Sequence, residues 1–203
     1  MKNNVLVLAF GAIVIFFGFT GCIINVMDNG NVAGNGNVIS QERAVEGFNG
    51  ITLDGAGDVN VHPGEKNKVV VTTDSNLQDR VLTTVNGNTL LITQSSGSFN
   101  AKELTIDVYL PELASISMNG AGNFTVNSGK ASELTFSLSG AGNINAQNFH
   151  VQNIHITHSG VGDAKIWATD SLNGTLSGVG NIRYKGNPTI NVNRTGVGNI
   201  RPL

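Results

Sequence analysis

Cysteine, charge and aromatic side chains are all scarce in this chain, and each shortage removes a class of protein. Cys22 is the single cysteine in 203 residues, so no internal disulfide can form. Charged residues make up 13% of the chain. No stretch gathers the clustered Lys and Arg that phosphate binding needs, so nucleic acid is not an expected partner. Aromatics are 6% and Trp167 is the lone tryptophan, which leaves no aromatic row on which sugars could stack. Without residues 1–21 only Lys2 is lost, leaving eleven basic against fourteen acidic residues, a net charge of −3. The longest apolar run, Val5 to Phe17, is about 13 residues, short of the roughly 20 a membrane-spanning helix needs. What the chain does have is glycine, at 26 positions, and 40% hydrophobic residues. That combination indicates many turns and a real core rather than global disorder.

The N-terminus reads as an export signal. Lys2 precedes the apolar run, and Phe19-Thr20-Gly21-Cys22 follows it, a segment that resembles a bacterial lipobox in which Cys22 is lipidated and becomes the mature N-terminus. In lipoproteins of this kind an Asp after the cysteine marks inner-membrane retention. Ile23 stands there instead, so the expected location is the outer membrane, facing periplasm or surface, with membrane attachment through the acyl chains of Cys22. Residues 22–41 are rich in Gly and Asn and read as a tether of roughly 20 to 25 Å root-mean-square reach. The remainder, 42–203, is one domain of about 160 residues, long enough to bury a core without disulfides or metals.

That remainder is repetitive. Gly-[Ala/Val]-Gly-[Asn/Asp] occurs at Gly55-Ala56-Gly57-Asp58, Gly120-Ala121-Gly122-Asn123, Gly140-Ala141-Gly142-Asn143, Gly160-Val161-Gly162-Asp163, Gly178-Val179-Gly180-Asn181 and Gly196-Val197-Gly198-Asn199, the last five spaced 20, 20, 18 and 18 residues apart. On both sides of most copies apolar residues alternate with polar ones. Four residues before the first Gly stand Ile51, Ile116, Phe136, Ile156, Gly174 and Val192; two before it, Leu53, Met118, Leu138, His158, Leu176 and Arg194. Four after it come Val59, Phe124, Ile144, Ala164, Ile182 and Ile200, then Val61, Val126, Ala146, Ile166, Tyr184 and Pro202. Period two means strand, glycine bend, strand. A unit this small cannot bury its own apolar face and must stack on its neighbours. The fold class expected is therefore all-β, a right-handed parallel β-helix with 18–20-residue coils, its apolar columns turned inward. The middle Ala or Val of each motif is expected to fill the inside of the bend, so that Val179→Asp would bury a charge at a cost on the order of several kcal/mol.

Between the first two motifs lie strand-like runs at 69–73, 89–93 and 104–110, with a hairpin signal at Asn86-Gly87 and a stop at Pro111. These form a less regular β-rich N-terminal part, read as a cap on the solenoid. A second domain bounded near Pro111 is the alternative.

Taken together, Phe48-Asn49-Gly50-Ile51 leading into the first motif and the Ser-Gly-[Ala/Val]-Gly-Asn copies at Ser139 and Ser177 make the chain resemble the auto-transporter adhesin head-domain family, the GIN domains, from about Glu46 to Leu203. The resemblance implies a β-helical envelope protein with an adhesin-type role and carries no catalytic residues.

Chemical motifs are few. No glycine motif ends in Gly-Lys-Ser/Thr or opens a helix, so no nucleotide loop is expected. Two carboxylates, Asp58 and Asp163, among six motif positions cannot furnish a regular series of calcium sites. His155 and His158 differ in strand parity and face opposite sides; His158, in an inward column, reads as a hydrogen-bonded core histidine, and no metal or other cofactor is expected. Asp54 with Asp58 and Glu103 with Asp107 are solvated pairs rather than an acid/base couple. Two functions remain: a binding module whose outward Asn, Ser and Thr ladders recognise glycan or another envelope component, and a structural scaffold whose coils stack on a second copy.

Overall fold

A computed structural model describes residues 32–95 and 99–203. Cys22, the leader and the first part of the tether lie outside the described residues.

The apolar columns stack in the order the repeat dictates. Ahead of the bends, Ile51, Ile116, Phe136 and Ile156 pair in parallel register, as do Leu53, Met118, Leu138, His158, Leu176 and Arg194. Beyond the bends, Val59, Phe124, Ile144, Ala164, Ile182 and Ile200 do the same. Successive partners differ by 20 or 18 residues, so each coil adds one strand to each wall. Almost all of these side chains are buried, in one core that runs from Phe48 to Ile182. At about 25 cal/mol per Å² of apolar surface, a buried Leu or Ile contributes about 1.5 to 3 kcal/mol relative to exposure. The stacked columns therefore supply the cohesion that no single coil has.

The bends keep the same parity. Counting from the first Gly of a motif, even positions face inward and odd ones outward, and the alternation runs through the motif unbroken. Both glycines thus take inward places, where coil lies directly on coil. A Cβ on Gly140 would strike the carbonyl oxygen of Gly120, and one on Gly142 that of Gly122. Gly142 also has φ of +146°, a region L side chains rarely enter. The parallel ladder continues through the bends, with Val161 N–H donating to Gly140 O and Gly142 N–H to Val161 O at 2.9 and 2.8 Å. The middle residue consequently points out. Val161, Val179 and Val197 are 56%, 50% and 71% exposed, which corrects the expectation that they fill the bend and that Asp at 179 would be buried.

The N-terminal part caps the stack by switching to antiparallel pairing. Gly50–Asp54 pairs in parallel with Thr89–Gln94, which folds back on Val81–Asn86 through the Asn86-Gly87 turn. On the other wall Asp58–Pro63 pairs with Leu104–Leu110, then Lys68–Asp74, then Val38–Arg43. The last strand falls within the stretch read as tether. Its anchor is Asp74, fully buried, whose Oδ1 accepts from Gly36 N–H and Oδ2 from Lys102 N–H at 2.6 and 2.7 Å. Gly34 packs where any side chain would meet that carboxylate. The Gly-Asn run is thus shaped to wrap an acid from outside itself, and the ordered body begins before residue 42.

Candidate ligand-binding face

The strands beyond the bends present one continuous outward face made of three side-chain columns. The first holds the fourth residue of every motif, and its members are wired to one another. Asp58 Oδ1 accepts from both N–H and Nδ2 of Asn123 at 2.9 Å. Asn123 Oδ1 accepts likewise from Asn143, at 3.2 and 3.0 Å. Asn143 Oδ1 takes the N–H of Asp163 at 2.9 Å, Asp163 Oδ1 that of Asn181 at 2.8 Å, and Asn181 Oδ1 that of Asn199 at 3.1 Å. A carboxylate accepts but cannot donate. Asp58 heads the described ladder, with no donation required of it, whereas Asp163 interrupts the amide donations part way. Hydrogen bonds from Asn181 N–H, followed by its side chain and the charges of Arg183 and Lys165, hold the Asp163 carboxyl below its ordinary value.

The second column, in register, is Asn60, Thr125, Asn145, Lys165, Arg183 and Arg201. Between the two columns lies an open groove of about 480 Å³ lined by Asp58, Asn60, Asn123, Asn143, Asn145 and Lys165, among others. The third column includes His62, Trp167 and Lys185. His62 stacks on Tyr109 with centroids 4.6 Å apart and bonds Asp107 through Nε2 at 2.9 Å. Asp107 also accepts from Asn60 at 3.3 Å. The carboxylates that sequence pairing had singled out therefore have structural partners: Asp58 heads a ladder, and Asp107 orients His62.

On the opposite side of the bends, Ser117, Ser137, Thr157 and Thr175 stack outward as a hydroxyl column. His158 is wholly buried and donates from Nε2 to Gly162 O at 2.6 Å, while His155 is exposed. Among the described residues no group of three or more His, Cys, Asp and Glu is placed to hold a metal ion, and no helix is long and apolar enough to cross a membrane. Sequence reasoning missed Asp74, which no motif flags, and the cationic run in the second column, whose members lie 18 residues apart and meet only through the register.

A repeat-built parallel β-solenoid with polar ladders on flat outward walls is the architecture of an adhesin-type domain rather than of an enzyme cleft. The chain belongs to the family described as Putative auto-transporter adhesin, head GIN domain, whose model matches residues 47–128 and 117–188. Among solved structures it is similar to a putative adhesin from Bacteroides fragilis, at 23% identity and a TM-score of 0.61, over 85% of this chain and 100% of that one. It is also similar to a putative cell adhesion protein from Clostridium sporogenes, at 21% identity and a TM-score of 0.49, over 82% of this chain and 99% of that one. The Bacteroides fragilis structure supports the fold. No curated protein matches.

Proposed function

We propose that this chain is an exported envelope protein, lipidated at Cys22 and held at the outer membrane, whose solenoid recognises glycan through its outward polar face. The observation that carries the reading is the wired ladder from Asp58 to Asn199 beside the open groove. Each rung is oriented by the coil before it, so the face offers donors and acceptors already in place, and less ordering entropy is lost when a polyhydroxylated ligand binds. Family membership adds the adhesin-type role, and the lipobox-like segment supplies the anchor.

A self-stacking scaffold has less in its favour. One end of the solenoid is covered by antiparallel strands. At the other, Arg194 takes an inward-column place and donates from Nη1 to Gly198 O at 2.7 Å, and Pro202 offers no N–H to an incoming strand.

Two measurements test the proposal. Cys22→Ser should move the full chain from the membrane to the soluble fraction and abolish acyl labelling; unchanged fractionation would remove the anchor. The full-length Cys22→Ser protein on a glycan array should retain a defined set of glycans, and failure to bind any would remove the binding module.

A further inference from the structure

Charge is unevenly distributed along the solenoid. Residues 32–159 hold six Lys and Arg against eleven Asp and Glu, whereas residues 160–203 hold five against two. The change of sign is concentrated on the ligand-binding face. Lys165, Arg183 and Arg201 pair directly across neighbouring strands, about 4.8 Å apart, so three cations stand within about 10 Å along the solenoid axis.

Like charges directly opposite one another on adjacent strands are destabilising, and the fold does not require them, because the same column carries Asn60, Thr125 and Asn145 in earlier coils. Nor are they neutralised internally. The ion pairs among the described residues are His62 with Asp107 and Lys68 with Glu42, both far along the chain from this column. Asp163 lies beside it, but its Oδ1 is occupied by Asn181.

A fourth cation and an aromatic ring flank the column. Lys185 Nζ sits 5.7 Å from the centre of the Trp167 ring and donates to Gln147 O at 3.0 Å, which fixes its position. Trp167 is half-buried and held edge-on by His150 at 4.9 Å. Stacked cations along one line, with an oriented indole beside them, match an extended anion that also has a sugar ring to lay against an aromatic.

We infer that this strip binds a linear acidic polysaccharide, bearing carboxylate or sulfate groups, whose successive acids engage Lys165, Arg183 and Arg201 while a sugar ring rests on Trp167. The inference rests on the glycan-binding reading above and names its ligand class. Neutral amides of the groove then continue the site toward Asn143 and Asn123.

The test is titration of the full-length Cys22→Ser protein with polygalacturonate, a sulfated glycosaminoglycan, neutral dextran, phosphatidylglycerol vesicles and duplex DNA. At least one acidic polysaccharide should bind in preference to all the others, and less tightly as salt is raised. Arg183→Gln and Arg201→Gln should each weaken that binding by about tenfold, the loss expected for one charge-assisted contact. Asp163→Asn, which removes the nearby carboxylate and restores the residue found in most other motifs, should strengthen it. Thermal melts of the variants check that they remain folded. Equal binding by vesicles or DNA would overturn the inference, as would acidic-glycan affinity unmoved in a folded Arg201→Gln. Neutral dextran bound with no acidic preference would overturn it and leave the glycan reading standing; no glycan bound at all would remove both.

Discussion

Leu176 and Val179 stand three residues apart and meet opposite environments. Leu176 is fully buried between His158 and Arg194 of the adjoining coils, while Val179 is half exposed on the outside of a bend. Asp at 176 would place an unpaired charge in the core and should cost on the order of 4 kcal/mol or more, enough to unfold a domain of ordinary stability. Asp at 179 should change stability by no more than about 0.5 kcal/mol. Chemical denaturation of the two variants separates them, and equal losses would mean that the bend is packed the other way. Asp163 adds a pH dependence. Its carboxyl titrates below the ordinary value of 3.8 when folded, so its stabilising contribution is fully present above about that pH and disappears as the pH falls through the lowered folded value. Asp163→Asn should therefore lose less stability than the native chain on acidification below about pH 4, measured by urea midpoints across that range. Parallel curves would show that the Asn181 and cation contacts contribute nothing to folding.

At the scale of strands, Val38–Arg43 completes the antiparallel cap on Lys68–Asp74. Removing residues 1–41 takes away most of that strand together with the Gly36 contact to Asp74. It exposes the backbone edge of Lys68–Asp74, an invitation to aggregation. A chain starting at 42 should melt several degrees lower than one starting at 32, because a loss of 1 kcal/mol shifts the midpoint by about 2 to 4 °C in domains of this size; coincident melts would show the strand to be dispensable. This strand also shows where sequence reading stops. The inward columns were legible because Ile116, Phe136 and Ile156 repeat at a fixed interval, and the Asn86-Gly87 hairpin because turn chemistry is local. Val38-Ile39-Ser40-Gln41 has neither repeat nor turn signal, and its partner lies some thirty residues later. The outward place of Val179 could have been read, since the alternation passes through the motif without a break. Treating the glycines as a kink hid it. For the candidate face, the Asn and Asp ladder was visible as a motif position. The cationic column was not, because its members become neighbours only when coils of 18 residues are laid in register.

For the whole molecule, the two ends of the solenoid decide whether coils can add to one another. The described N-terminal end is closed by strands that turn antiparallel. The C-terminal end has a core column that would otherwise finish in an apolar residue, since Leu53, Met118, Leu138 and Leu176 precede it with His158 among them. Arg194 occupies that last place, and its guanidinium folds over the final bend to Gly198 and Asn199. A charged group at this point stops the column from presenting a dry surface to a second copy, and Pro202 removes a donor from the neighbouring edge strand. Arg194→Leu should leave the coil intact, because the column accepts Leu elsewhere, yet expose an apolar end beside two unpaired strand edges. The native chain is therefore expected to sediment as a monomer when its lipid anchor is removed, and Arg194→Leu to associate with increasing concentration. Should the variant stay monomeric over a range where the native chain does, Arg194 would be a bystander, and the end of the solenoid would be kept solitary by its backbone geometry alone.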